Sequence, residues 1–417
     1  MKISLESPAR RSIFAALLLP AALYFGLAAR DFAAAWLGSR PQLASLQRAA
    51  WLDPGNAEYR NHVGRYYDLV VRDPIAALPH YKAAVQLNPH SARYWFDLAN
   101  AYQIVGDTTS QTSALEHAIQ ADSMTPDVAW EAANLYLVQG ENEKALHEFR
   151  VVMANDTSLA NVAIAYCWRI SPDVDRLLAD VVPHTADAYV PFLTFLQTKQ
   201  ETAGSIKVWN ALVQTHQDFE ARYTYDYFQY LIQHKEVDQA VLVWKQAVER
   251  GRLSSRLASE SNLVVNSSFD YDPLNAGLDW QYRKQSGVKL MLDPTAFHTG
   301  RRSLQITFNG PAIIDAGVYQ LIPVEPNTTY DFSAYYKSSD FEGAGGPHFT
   351  VQDMYSQAVY FESDELKESG FWKSVDGEFT TSKDCKLVVL HIRRLPEGSP
   401  IRGKLWIDDL HLLKKPS

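Results

Sequence analysis

Acidic, histidine and serine side chains are the residues that hydrolytic or metal chemistry would use, and their spacing here favours neither. Acids gather in "SSDFEGAGG" and "FESDELKES", and paired carboxylates can hydrolyse glycosides. Both stretches read as acidic turns, which indicates solvated loops. The sequence has no glycine-rich phosphate loop, no HExxH and no GxSxG, and its twelve histidines show no ligand spacing. The sequence therefore predicts a protein that is not an enzyme. The alternative is a glycan-processing enzyme with its active site in residues 160–250 or in the C-terminal region.

The composition is that of an ordinary folded protein with more than one domain. The 417 residues exceed the usual span of one core, and 47% are hydrophobic while 21% are charged. A net charge of −9 without a long Lys/Arg block argues against a nucleic-acid partner. The two cysteines, Cys167 and Cys385, lie in regions of different pattern, which argues against a disulfide framework or a cysteine metal site.

An uncharged run of eighteen residues extends from Ser12 to Ala29, after the basic residues Lys2, Arg10 and Arg11. About 17–25 apolar residues cross a bilayer, and the basic flank predicts a cytoplasmic N-terminus. Residues 1–40 are therefore predicted to be a cytoplasmic stub and a single-pass cell-membrane anchor, with the remaining chain on the extracytoplasmic side. The alternatives are a cleaved signal peptide, which would leave a secreted or periplasmic protein, and a buried helix.

The helical region that follows has an internal period. "WLDPGNA" at 51–57 recurs as "QLNPHSA" at 86–92, a step of 35 residues. Between the copies a small residue precedes a tyrosine by three positions, in the pairs Gly64 and Tyr67, Ala99 and Tyr102, and Ala133 and Tyr136. Small residues let two helices approach closely, and larger side chains fill the space between repeats. The pattern predicts an α-solenoid over residues 41–255, with divergent helical hairpins in 160–200.

This pattern resembles the tetratricopeptide repeat, and the resemblance implies a concave face that grips extended peptides or partner helices. Aligning the repeats places five candidate partner-binding residues on the inner face of the first helices, namely Arg65, Phe96, Asn100, Trp130 and Asn134. A protein partner is therefore expected. The alternative is that these side chains are only solvated or pack between repeats.

From Asn262 onward, hydrophobic residues alternate instead of recurring every three or four positions. Runs such as "RRSLQITF", "TYDFSAYY" and "KLVVLHIRR" are separated by turn signals such as "PNTT" and "GAGG". Eight to ten strands in this length predict two packed antiparallel sheets, a jelly-roll β-sandwich over residues 260–417 whose first strand is "NLVVNSSF". The predicted fold class is a multidomain α and β protein.

Seven segments in order, from "NLVVNSSFD" to "WIDDLHL", resemble the carbohydrate-binding modules of families four and nine. The resemblance implies a glycan ligand, with flat aromatic faces stacking on sugar rings and polar groups bonding to hydroxyls. It also implies that Trp372 and Tyr330 are core residues. The candidate carbohydrate-binding residues are Trp280, Tyr282, His348, Gln352, Tyr355 and Tyr360. The alternative is a domain that has kept the fold and lost the ligand.

The same resemblance implies a structural calcium ion that ties the first strand to the last. The matching positions hold Asp270 and Asp408, with Asp409 beside them. Calcium takes several oxygen ligands, and the turn "FHTGRRS" would supply main-chain carbonyls near Thr299 and Arg301. The alternative is that these aspartates are solvated acids at strand ends.

Together these patterns predict an exported, membrane-tethered adaptor without catalytic activity. Its repeats would bind a protein partner, and its sandwich would bind a polysaccharide or another cell-surface component. By analogy with this domain combination, bacterial polysaccharide assembly or export is the expected setting. The remaining alternative is a structural scaffold whose sandwich binds no sugar.

Overall fold

The chain forms two compact units, residues 1–217 and 218–417, in a computed structural model. The structure describes residues 8–251, 253, 256–259, 261–310, 313–367, 369–395 and 400–416. In these residues helices come first and strands follow, as the sequence predicts.

The first unit is a series of helices joined by short turns. Its helices are α1 (Pro8–Gly38), α2 (Leu43–Leu52), α3 (Ala57–Arg65), α4 (Pro74–Leu87), α5 (Ala92–Val105), α6 (Thr108–Ala121), α7 (Pro126–Gln139), α8 (Asn142–Asn155), α9 (Ala160–Ile170), α10 (Val174–Arg176), α11 (Ala186–Thr198) and α12 (Thr202–Gln214). Within α1, Leu18–Gly38 is long and apolar enough to cross a membrane by length and composition, the one such segment among the described residues.

Side-chain caps and glycines set where these helices begin and end. The carboxylates of Asp73 and Asp107 accept hydrogen bonds from backbone N–H groups three residues later, which satisfies donors that the first turn of a helix leaves unpaired. Gly106 and Gly140 follow α5 and α7 with φ of 84° and 78°. A left-handed residue at this position ends a helix, and glycine adopts that conformation without strain.

The small residues of the period lie where helices approach each other most closely. A Cβ atom at Gly64 would lie 2.7 Å from the ring of Tyr81 in α4. Ala99 and Ala133 are completely buried, and Tyr136 is 3% exposed. The sequence prediction of repeated helical hairpins is therefore confirmed, and the divergent stretch 160–200 is helical as well.

The second unit contains one helical hairpin and the β-sandwich. Its elements are α13 (Ala221–Gln233), α14 (Val237–Arg250), β1 (Gln281–Tyr282), β2 (Val288–Asp293), β3 (Ser303–Gly310), β4 (Asp315–Pro323), β5 (Thr329–Glu342), β6 (Gly346–Asp353), β7 (Val359–Glu362), β8 (Lys373–Thr380), β9 (Leu387–Leu395) and β10 (Ile401–Lys414).

The strands form two five-stranded sheets. The first sheet has the strand order β1-β4-β9-β6-β7 and the second has β2-β3-β10-β5-β8, and the strands pair antiparallel throughout the described residues. Alternate residues of each strand face a shared core that includes Phe308, Phe332, Phe349, Leu390 and Leu405. The predicted sandwich of two packed antiparallel sheets is confirmed.

The prediction that "NLVVNSSF" forms the first strand is wrong. The segment lies against strands of both sheets, but it is not itself a β-strand. Leu263 N donates to Leu412 O of β10, whereas Val265 exchanges two hydrogen bonds with the side chain of Gln320 in β4. Asn266 and Phe269 have φ of 50° and 52°, far from the extended conformation of a regular β-strand. The segment therefore crosses from one sheet to the other as an irregular loop, and Asp270 follows this loop rather than a strand.

The hairpin α13–α14 packs directly on the sandwich. The Trp244 ring of α14 lies so close to Gly277 that a Cβ atom there would collide with it. Tyr355 Oη donates to Ile232 O (2.8 Å), and Lys386 pairs with Asp238 (2.6 Å). The sequence prediction placed a domain boundary between 255 and 260, where helix gives way to strand. The contacts of the folded chain group this last hairpin with the sandwich.

We expect Tyr136→Ala to destabilise the helical unit, because the ring is buried between helices. Truncating a buried aromatic side chain costs about 3–5 kcal/mol. Tyr102→Ala is the matched control, since Tyr102 occupies the same repeat position but is only half-buried beneath Lys82. Denaturant unfolding of the detergent-solubilised full chain measures both. Equal losses from the two variants would show that the repeat positions do not differ in packing.

Candidate functional site

The first candidate site is a cavity of about 370 Å³ between α5 and α7 in the helical unit; we call it the α5–α7 groove. Asn100, Trp130 and Asn134, which the sequence predicted on one face, do line it together. The Asn134 amide donates to Trp130 O (2.8 Å). The Trp130 ring packs edge-on against Phe149 and Tyr166, so its orientation is fixed by aromatic contacts.

The groove also holds charged residues that the repeat alignment did not identify. Arg93, Asp97 and Glu131 line it. Burial raises the pKa of the Asp97 carboxyl, while a hydrogen bond from Asn61 partly opposes that shift. Burial likewise raises the pKa of Glu131. Two carboxylates beside an arginine, Asp97 half-buried and Glu131 exposed, favour a ligand that brings both hydrogen-bond donors and acceptors.

Two of the predicted groove residues need correction. Phe96 is 3% exposed, so it forms the floor of an adjoining cavity beside Trp130 rather than a free contact surface. Arg65 does not line the groove cavity. Its positive charge partly opposes the rise that burial causes in the pKa of Asp97. Both errors have one cause: an alignment of repeats gives the face of a helix but not the depth of burial.

The second candidate site is the face of the first sheet that points away from the sandwich core. Strand pairing aligns one residue from each strand across this face, in the order Gln281, Tyr319, His391, Thr350 and Glu362. We call this set the polar row. Its neighbours along each strand, such as Val318, Leu390 and Val351, belong to the core, so alternation directs the row outward.

Hydrogen bonds hold the side chains at one end of the polar row and beside its centre. Tyr319 Oη donates to Gln281 Oε1 (2.9 Å), and His391 Nδ1 lies 3.2 Å from Asp315 Oδ2. Among the described residues, His391 Nε2 and the directly opposed Thr350 Oγ1 are buried side-chain atoms without a hydrogen-bond partner. A buried polar atom left unpaired costs about 1–3 kcal/mol, so such a pair is an indication of an absent ligand or water.

The structure places the six predicted carbohydrate-binding residues in different surroundings. Trp280 is completely buried against Phe269, and the prediction that it contacts sugar is wrong. Tyr355 is engaged by Ile232 O of α13, and Tyr360 packs on the core beside Phe379. Neither ring presents a free face on the outer side of a sheet.

The other three lie closer to the outer face. His348 belongs to it but is 8% exposed, and its Nδ1 lies 2.6 Å from Ser363 O. Gln352 lies on the face half-buried, with its amide donating to Gln357 (2.9 Å). Tyr282 is 47% exposed at the end of β1 and lines a separate apolar cavity of about 300 Å³. Gln352 and Tyr282 therefore stay predicted sugar contacts, and Trp280 lines the same cavity as Tyr282.

His391, Thr350 and Tyr319 were not identified from the sequence. Alternation is the signal that would have found the first two, since His391 stands between Leu390 and Ile392 and Thr350 between Phe349 and Val351. Which face a strand turns outward, however, depends on pairing register. The resemblance placed Trp372 in the core, whereas it lies half-buried on the surface, edge-on to His298.

The third candidate site is the corner where Asp270 and Asp408 meet the turn 298–301. Asp408 Oδ2 accepts hydrogen bonds from His298 N (2.6 Å) and Thr299 N (3.0 Å). Asp270 Oδ1 accepts one from Arg301 N (2.7 Å). The two carboxylates, from opposite ends of the domain sequence, thus hold one turn by hydrogen bonds from its backbone N–H groups.

The fit of a calcium ion at this corner is limited by its ligands. Within the described residues, no group of three or more His, Cys, Asp or Glu side chains is placed to hold a metal ion. The carboxylate of Asp409 lies instead between His298 Nδ1 (3.1 Å) and His411 Nε2 (2.9 Å). The three predicted aspartates therefore do not form a cation cage, and calcium binding stays a prediction that would depend on main-chain carbonyls.

Residues 261–395 match the family model described as a carbohydrate-binding domain, CBM_4_9, which confirms the resemblance seen in the sequence of the sandwich. Among curated proteins, none matches the chain. Similar solved structures include one titled "CBM4 structure and function", at 14% identity over 36% of this chain and 98% of that one, with a TM-score of 0.28. MamA is 18% identical over 42% of this chain and 86% of its own, with a TM-score of 0.25. Pseudomonas aeruginosa PilF is 14% identical over 54% of this chain and 93% of its own, with a TM-score of 0.27.

Asp408 predicts a specific dependence of stability on pH. Burial raises the pKa of its carboxyl from 3.8 to about 6 in the folded state. Between these two values the folded state binds more protons at this site than the unfolded state. The contribution of Asp408 to stability is therefore greatest below about pH 4 and is lost as the pH rises through 6. In chelator, full-chain unfolding followed between pH 4 and 7 should show this loss.

Asp408→Asn is the matched variant, since it keeps the side-chain size and removes the titration. Subtracting its pH profile from that of the wild type should leave the loss between pH 4 and 6. A flat difference profile would show that the buried carboxylate does not titrate in this range.

Calcium added at pH 7 tests the ion separately, because a ligand at a hundred times its dissociation constant stabilises by about 2.7 kcal/mol. An unchanged melting temperature would contradict calcium binding.

Proposed function

We propose that the β-sandwich binds a glycan across the polar row of the first sheet, and that the whole chain is a membrane-tethered adaptor without catalytic activity. The observation that carries this proposal is the pair of buried, unpartnered atoms His391 Nε2 and Thr350 Oγ1 at the centre of the row. A sugar hydroxyl both donates and accepts hydrogen bonds, so one hydroxyl between these atoms would satisfy both. The family match of residues 261–395 supports the same ligand class.

The polar row has the features that glycan recognition uses. It crosses all five strands of one sheet, and it combines an amide, a phenol, an imidazole, a hydroxyl and a carboxylate. Tyr319 is half-buried and offers one aromatic ring on the face, with Arg283 over it at 5.7 Å. Gln352 stands on the next strand position of the same face and adds a second amide.

In the adaptor, the α5–α7 groove would hold a segment of a protein partner while the sandwich holds the glycan. The polar lining of the groove, with Asn100, Asn134 and Arg93 close together, supports a peptide whose main chain bonds to the amides. The apolar helix α1 would anchor both units at a membrane. A role in assembling or exporting a bacterial polysaccharide follows from this combination of a tether, a protein-binding groove and a glycan-binding face.

Thr350→Val tests the glycan proposal by separating stability from binding. Valine has the same shape without the unpartnered hydroxyl, so the ligand-free protein should become more stable by about 1 kcal/mol. Glycan affinity, measured by array and calorimetry on the full chain, should fall because the hydroxyl contact is lost. Glycan binding by Thr350→Val at the wild-type level would contradict the proposed face.

Thr381→Val is the matched control. Its hydroxyl is buried as well, but it donates to Glu325 O (2.7 Å) and accepts from Thr328 N (3.0 Å). Valine there should lower stability and leave glycan affinity unchanged.

The same glycans incubated with the wild type should release no reducing ends. Their release would support the glycan-processing enzyme instead.

A photo-reactive amino acid at Asn134 tests the α5–α7 groove. Introduced in cells, it should cross-link one protein partner, because this residue lines the groove. The control position is Gln120, which is exposed on α6 and should give no such product. Thermal unfolding should be nearly unchanged in both variants. The same product from both positions would contradict a groove-specific partner.

A further inference from the structure

We propose that the edge of the helical unit formed by the α2–α3 turn, with Trp51 at its centre, lies in the headgroup region of a lipid bilayer. This inference rests on the membrane tether put forward above and adds an orientation to it. The occupant of this edge is the bilayer that holds α1. The two observations behind it are the uninterrupted course of α1 and the exposure of Trp51.

Helix α1 does not end where its apolar run ends. The uncharged run stops at Ala29, yet the helix continues without a break to Gly38. Its last part is built into the repeats: Ala34 is fully buried, and a Cβ atom at Gly38 would lie 2.5 Å from the ring of Tyr59 in α3. No flexible linker therefore separates the apolar segment from the first hairpin, and the height of that hairpin above a bilayer is fixed.

Helix geometry places Trp51 at the level of the membrane surface. The charged residues Arg30 and Asp31 divide the apolar segment Leu18–Gly38, so we place the bilayer over the eighteen uncharged residues that precede them. These residues span about 27 Å, close to the roughly 30 Å of a bilayer's hydrocarbon core. From Arg30 to Gly38 the chain rises about 12 Å away from that surface. After the turn at 39–42, α2 packs back along α1 with Leu46, Ala49 and Ala50 buried. From Leu43 to Trp51 it descends about 12 Å again, which returns Trp51 to the level of Arg30.

The side chain at this level is suited to an interface. Trp51 is 78% exposed, although it sits in a well-ordered hairpin whose other face is buried. Tryptophan is enriched at membrane–water interfaces, where its ring is partly apolar and its N–H stays solvated. Arg48 lies one helical turn away on the same exposed face, at the height where lipid phosphates accept hydrogen bonds.

The next turns on this edge continue the pattern. Consecutive helices pack side by side and reverse direction, so every second turn lies on the same edge. The α4–α5 and α6–α7 turns carry Leu87 (43% exposed) and Met124 (64% exposed). Repeats rotate relative to one another along a solenoid, so contact should be closest at Trp51. The opposite edge also carries exposed apolar side chains, among them Leu69 (62%), Val70 (63%) and Ile104 (65%), but it lies at the far end of helices about 20 Å long. Exposure alone therefore does not separate the two edges, and the height set by α1 does.

Depth-dependent quenching in proteoliposomes of the full chain tests the proposal. An environment-sensitive fluorophore is placed on Trp51→Cys or, as the matched control, on Ile104→Cys. The native Cys167 and Cys385 are buried and should remain unlabelled. Emission from position 51 should shift to shorter wavelength and be quenched by a nitroxide near the lipid headgroup. Emission from position 104 should stay aqueous and unquenched.

A helical insertion checks that α1 sets the height. Seven residues of Ala, Glu and Lys inserted after Asp31 would lengthen α1 by about 10 Å and keep its face. Quenching at position 51 should then be lost. Equal quenching at positions 51 and 104, or none at position 51 in protein that floats with the vesicles, would overturn the inference. Protein that fails to float would instead refute the tether itself.

Discussion

The buried ion pair between Arg256 and Asp279 is the interaction on which the second unit depends most. Arg256 is 5% exposed and Asp279 is completely buried, with Nη1 donating to Oδ2 at 2.5 Å. Asp279 also accepts hydrogen bonds from Leu274 N and Trp280 N. Trp244 Nε1 donates to Arg256 O (3.3 Å). Loss of one partner of such a pair leaves a buried charge and costs about 3–5 kcal/mol.

This pair positions one end of the polar row. The loop that Arg256 holds leads directly into β1, where Gln281 begins the row. Gln281 Nε2 donates to Gly277 O (2.7 Å) in that loop, and its Oε1 accepts the Tyr319 hydroxyl. The helical hairpin, the loop and the outer face of the first sheet are therefore coupled through main-chain and side-chain contacts. One end of the candidate glycan-binding face is thus built on the last hairpin.

Much of the fold follows from the sequence because its local signals agree. Small residues such as Gly64 and Ala99 recur where helices touch, and alternating residues mark the strands. The predictions fail where residues distant in the sequence determine the conformation or burial of a segment. Val265 satisfies its backbone with the side chain of Gln320, which no local pattern reveals. Trp280 is identical in type to a sugar-stacking residue, and only its neighbours show that it belongs to the core.

The candidate site was less predictable than the fold for the same physical reason. His391 and Thr350 are opposite each other only because β9 and β6 pair in one register. Their importance comes from what surrounds them, since an unpartnered polar atom is a property of an environment. Asp270 and Asp408 were found because the resemblance supplied their pairing. The resemblance therefore indicated the class of ligand, and the sheet register was needed to find the candidate face.

The close approach of Trp244 to Gly277 has a consequence for the order in which the chain folds. The helices before residue 217 can each pack on the neighbour that precedes them as synthesis proceeds. Helix α14 cannot bury Trp244 fully in this way. Gly277, which the Trp244 ring contacts, lies in the loop before β1 and is synthesised later. An incompletely synthesised chain that stops before this loop would expose the indole ring to chaperones or to other chains. The earlier helices can therefore fold one repeat at a time, whereas the last hairpin can finish folding only after the loop before β1 has been synthesised.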